Sequence, residues 1–136
     1  MKFDYKYRRK KYLMTQTESQ FYDALLEILQ DQYYIFPQVH LSSLLDHRIK
    51  GQSYKGALSH IQRKSVDFVV CDKSSRSPLV AIELDDKTHD RPIRTARDEE
   101  VEEIFKQADL PLLRFGNHRA NDREHVQEQL QEVLSR

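Results

Sequence analysis

The sequence predicts a single mixed α/β domain, a central mixed sheet flanked by helices, behind a short basic arm. Three observations lead there. The hydrophobic patterns alternate between helical and strand periods in the order helix, strand, irregular segment, strand, strand, helix, strand, helix. The two clearest strand segments are apolar on both faces, so helices should cover both sides of the sheet. The length, 136 residues with 38% hydrophobic content, suffices for one packed core and no more.

Residues 1–12 form the arm. Lys2, Lys6, Arg8, Arg9, Lys10 and Lys11 face only Asp4, a surplus of five positive charges in a chain whose overall charge is zero. Phe3, Tyr5, Tyr7 and Tyr12 are interleaved with them. Stacking on bases with contacts to phosphates would use this mixture; a frayed terminus with aromatics tucked onto the domain is the other reading.

The domain spans residues 13–136. Thr15 and Glu18 have capping-box spacing, and Phe21, Leu25, Ile28 and Leu29 recur at helical intervals, which predicts a helix over about 16–31. Tyr33–Phe36 reads as a strand ended by Pro37. Residues 41–62 are mixed, with a short helix over 55–62. Val66–Cys71 and Leu79–Leu84 are strands joined by the turn-forming Asp72–Pro78 segment, hence an antiparallel hairpin. Val101, Ile104, Phe105 and Ala108 mark a helix over about 93–108, and Leu110–Phe115 a strand ended by Gly116. The final helix takes Asn121 as its cap and buries Val126, Leu130, Val133 and Leu134.

Composition excludes several classes. No apolar run approaches a membrane span, and the N-terminus lacks the apolar core of a signal peptide. With the single Cys71, a disulfide framework or thiolate zinc cage is ruled out, and a cytoplasmic protein with no membrane partner is expected. Three glycines leave no phosphate-cradling loop or dinucleotide fingerprint.

The chemistry lies in the hairpin. Asp67 shares a face with Val69 and Cys71; Glu83 shares one with Leu79, Ala81 and Asp85. Two carboxylates facing each other in covered strands would raise each other's pKa and be costly to ionise. A basic partner, an added proton or a divalent cation could resolve that cost. Oxygen ligands favour a hard ion such as Mg²⁺ or Mn²⁺. Beyond the strand lie Asp86, Lys87, Thr88, His89, Asp90 and Arg91, then Arg94 and Arg97 three apart on the next helix. Those arginines could hold phosphate oxygens, or Arg97 could neutralise Glu83 or Asp67 in a structural ion pair.

The segment from Ser65 to Phe115, with its Ile82-Glu83-Leu84-Asp85-Asp86 run followed by His89-Asp90, resembles the PD-(D/E)XK, restriction-endonuclease-like nuclease superfamily. Within it the chain is similar to an uncharacterised bacterial domain-of-unknown-function family, sometimes attached to topoisomerase-type zinc fingers that are absent here. The likeness runs from about Leu13 to Phe115. It implies an αβββαβ core and metal-dependent hydrolysis of DNA phosphodiesters. Asp67, Glu83 and the carbonyl of Leu84 would hold Mg²⁺ or Mn²⁺, with Asp85 completing the shell or binding a second ion. Arg94 and Arg97 would bind substrate, and Glu18 would be the acidic residue of the first helix that assists. One departure stands out: the family lysine two residues after the acidic one is Asp85 here. Lys87, His89 and Lys64 are the candidate general bases. A non-catalytic nucleic-acid-binding module on the same scaffold is the alternative. RNA as the nucleic acid, homodimerisation and recruitment by a partner protein stay open.

Overall fold

A computed structural model of the chain describes residues 1–85 and 96–136. Its described helices are α1 (Gln16–Leu29), α2 (Leu41–Leu44), α3 (Tyr54–Ser59), α4 (Ala96–Gln107), α5 (Asn117–Ala120) and α6 (Arg123–Leu134). The strands are β1 (Tyr33–His40), β2 (Ser65–Asp72), β3 (Pro78–Asp85) and β4 (Leu112–Gly116). They form one sheet in the order β1-β2-β3-β4. The first three strands meander antiparallel, and β4 returns parallel to β3 after a crossover that contains α4.

Strand alternation sorts the core into two layers. On one face Phe68, Val70, Val80, Ile82 and Phe115 meet Phe21, Leu25 and Leu29 of α1 and Val126 and Leu130 of α6. On the other, Val69, Cys71 and Ala81 meet Leu41 of α2, Ile61 and Phe105 of α4. Helices therefore cover both faces, as the doubly apolar strands require. Cys71 is buried in the second layer, where burial pushes its thiol pKa up. Among the described residues, no helix is long and apolar enough to cross a membrane.

The first helix opens as its sequence demands. The Thr15 hydroxyl accepts from the Glu18 N–H at 3.1 Å, and Glu18 Oε1 accepts from the Thr15 N–H at 2.8 Å. It ends two residues early and tightens into a 3₁₀ turn over Gln30–Gln32. The strand expected to stop at Pro37 runs on to His40. An edge strand has one row of N–H groups without a ladder partner, so a proline there is tolerated. The final helix is capped by Asp122, not Asn121: Asp122 is extended and its side chain accepts from the His125 N–H at 3.1 Å, whereas Asn121 is already helical and closes the short α5. The expected helix over 55–62 is the shorter α3, capped by Ser53. The first residues of the helix expected from 93 fall outside the described part.

Candidate functional site

The sheet register assembles the site. Phe68 pairs with Ile82, and continuing that antiparallel register by one residue sets Asp67 opposite Glu83. On one side Glu83 pairs with Arg114 of β4. On the other, the pairs Pro37–Phe68 and Val39–Val66 bracket Gln38 against Asp67. Gln38, Asp67, Glu83 and Arg114 thus form one row across all four strands, at strand spacings of about 4.8 Å. The row lies at the carboxyl ends of the parallel pair β3 and β4, where open α/β sheets commonly receive ligands.

The two carboxylates are coupled. Asp67 Oδ2 accepts a 2.7 Å hydrogen bond from the Leu84 N–H. The Glu83 carboxylate accepts in turn from the backbone N–H of Asp67. Burial, and then the negative charge of Asp67, push the Glu83 pKa up to about 7; Arg114, Arg97 and that backbone hydrogen bond oppose the rise without cancelling it. Both side chains are half-buried, and no charged residue among those described is fully buried. This corrects the expectation of a fully covered acidic pair. The strand ends open onto a cleft, so partial solvation replaces part of the missing counter-charge.

That cleft has a volume of about 270 Å³ and is lined by Leu41, Lys64, Glu83, Asp85, Arg97, Asp98, Val101 and Arg114, among others. Asp67 lies beside it, on β2, and does not line it. Asp85 reaches the cleft but is exposed. Among the described residues, no three His, Cys, Asp or Glu side chains cluster as a metal-binding group. Two coupled carboxylates are oxygen donors of the kind a hard cation takes when it keeps several waters.

Three cations ring the cleft. Arg114 Nε lies 3.4 Å from Glu102 Oε1, and its Nη1 lies 3.8 Å from Asp98 Oδ1. Arg97 is exposed and close enough to lower the Glu83 pKa. Lys64 is mostly buried, donates to the His60 carbonyl and lies 3.5 Å from Glu100 Oε1. His60 Nδ1 meets the same Glu100 oxygen at 2.6 Å and is the main cause of that carboxyl's lowered pKa.

Glu18 stands at the far end of the row. Its Oε2 accepts from the Gln38 amide at 2.7 Å while Oε1 closes the capping box. Both oxygens are engaged, so a catalytic part for Glu18 rests on the resemblance alone. Gln38 adopts a left-handed φ of 52°, a strained conformation for a side-chain-bearing residue. Lys87, His89 and Arg94 lie outside the described residues.

Arg114 and Gln38 join the site from outside the sequence-based set of candidates. A signal existed for Arg114: it interrupts the apolar run Leu112-Leu113-Arg114-Phe115 as Glu83 interrupts its own strand. Gln38 carried none, because its position depends on β1 continuing past Pro37.

A mixed four-stranded sheet between helices, with a coupled carboxylate pair and three cations at one sheet end, defines an α/β domain with a candidate anion- and cation-binding site. The chain belongs to the family described as protein of unknown function (DUF2726), whose model matches residues 10–134. No curated protein and no solved structure matches the chain significantly.

Proposed function

We propose that the domain is a metal-dependent phosphodiesterase acting on DNA, built on a restriction-endonuclease-like core. The observation that carries this reading is the Asp67–Glu83 pair, with Glu83 raised to about 7 despite two nearby arginines. A pair left that uneasy by its own protein favours an added cation. The order α1-β1-β2-β3-α4-β4, with two antiparallel pairs and one parallel pair, supports the core assignment.

Asp67, Glu83 and the Leu84 carbonyl would hold Mg²⁺ or Mn²⁺, with Asp85 adding a carboxylate at the cleft mouth. When bound, such an ion supplies Lewis acidity toward a phosphate oxygen and eases deprotonation of water. Arg97 and Arg114 bind and orient the phosphate, and their charge offsets that which builds on it. Arg94 is assigned to the same task. Lys64, placed on the cleft wall, is the described candidate for orienting the attacking water in place of the lysine that Asp85 displaces; His89 and Lys87 are the others. Incubation of plasmid and oligonucleotide DNA with Mg²⁺ or Mn²⁺ tests the proposal. Wild type should cleave, and Asp67→Asn and Glu83→Gln should each lose at least about a hundredfold while remaining folded. Cleavage that survives both substitutions refutes it.

A non-catalytic nucleic-acid-binding module is the second reading. It is favoured by Asp85 standing at the lysine position and by the Leu84 N–H already satisfying one Asp67 oxygen. It is the conclusion if DNA binds but no divalent ion yields cleavage.

A further inference from the structure

We propose that residues 1–12 are a stacking arm that captures single-stranded nucleic acid and delivers it to the sheet end holding Asp67 and Glu83. The proposal deepens the nucleic-acid reading of that site by naming the strandedness of the substrate.

The pattern is the first support. From Lys2 to Arg8 charged residues occupy the even positions, and Phe3, Tyr5 and Tyr7 the odd ones. In an extended chain, residues two apart lie on the same side, about 6.6 Å from each other. The three rings also gather in the structure, by a bend rather than by a straight strand: Phe3 lies 6.0 Å from Tyr5 and 5.9 Å from Tyr7, centroid to centroid. They are not tucked onto the domain. Phe3, Tyr5 and Tyr7 keep 59%, 73% and 83% of their surface exposed. Four aromatics, Tyr12 included, thus keep most of their surface open to a partner.

Charge selects the partner. Six cations against one carboxylate call for a polyanion, and flat rings between them fit bases whose faces are open. A duplex hides those faces, so it would engage only the charges. An anionic membrane would accept the rings for their apolarity alone, indifferent to their flatness.

Position is the third support. The arm runs into Thr15, the cap of α1, and Glu18 in the first turn is joined to Gln38, the residue across from Asp67 in the strand register. The root of the arm is therefore at the site's end of the sheet. Fully extended, a dozen residues reach about 40 Å, enough to hold a strand that continues into the cleft.

The test is fluorescence anisotropy in EDTA with labelled oligo(dT) of about 20 nucleotides, a duplex of equal length, and phosphatidylserine-containing vesicles. Without divalent metal the readout is independent of hydrolysis, so its failure leaves the nuclease reading standing and the reverse also holds. The variant Phe3→Leu/Tyr5→Leu/Tyr7→Leu keeps apolarity and removes stacking planes. It should weaken oligo(dT) binding at least about tenfold and leave duplex binding unchanged. Glutamine at the six arm cations should flatten the salt dependence of log K by up to about 4. Unchanged oligo(dT) affinity in the leucine variant, tighter binding to duplex than to single strand, or vesicle binding that the leucine variant retains overturns the proposal.

Discussion

Replacing Glu83 with glutamine removes a charge that the fold holds at a loss, and its effect on stability follows from the pKa. In the unfolded chain this carboxyl titrates near 4.5, and in the folded protein near 7. Between those values the folded state keeps a proton that the unfolded state has released. Stability therefore falls as pH rises through that window, and the penalty is complete above it. At about 1.36 kcal/mol per pH unit the interval sets a ceiling of roughly 3.4 kcal/mol. Glu83 is partly exposed at the cleft, and screening reduces this to about 2 kcal/mol. Glu83→Gln should match wild type near pH 4 and exceed it by about 2 kcal/mol at pH 8.5. Urea denaturation followed by circular dichroism, in EDTA across this range, measures the difference. A variant less stable than wild type at pH 8.5, or one with the same pH slope, would show that the carboxylate is not under electrostatic strain.

Arg114→Met should lift the Glu83 pKa further, since the guanidinium favours the ionised carboxylate; carboxyl-resolved NMR titration reads the shift, and a fall would contradict the pairing. Glu18→Gln should preserve both the capping box and cleavage activity within about twofold, because glutamine serves as well at that cap position; a large loss of activity with unchanged stability would make Glu18 a working part of the site. Leu25→Ala, at a fully buried position between α1 and the sheet, should cost about 2–5 kcal/mol in the same denaturation assay; a cost under about 1 kcal/mol would mean that α1 does not seal this face.

Much of this architecture is local and could be read from residues near one another. Thr15 and Glu18 announced the first helix, and the Asp72–Pro78 turn between two apolar runs announced the hairpin. Hairpin pairing then set Asp67 against Glu83, so the acidic pair was legible before any coordinates. What escaped depended on distant context. Pro37 looked like a terminator because its tolerance comes from β1 being at the edge, a property of the assembled sheet. Arg114 joins the site only because β4 lies parallel to β3 in a register that no short-range pattern specifies. The choice of Asp122 over Asn121 turned on backbone angles at two adjacent capping residues of similar propensity. The depth of the site is likewise not legible locally, since strand patterning reports which face a residue occupies but not that the sheet end opens onto a cleft.

The most direct measurement is a titration of the metal-free protein with Mn²⁺ at pH 8, where Glu83 is mostly ionised, followed by calorimetry or by loss of the free-ion EPR signal. Wild type should take up at least one ion per chain, and Asp67→Asn and Glu83→Gln should each abolish that uptake. A wild-type protein that takes up no Mn²⁺, or variants that bind it as well as wild type, would mean that the acidic pair is held by its own arginines and awaits no ion.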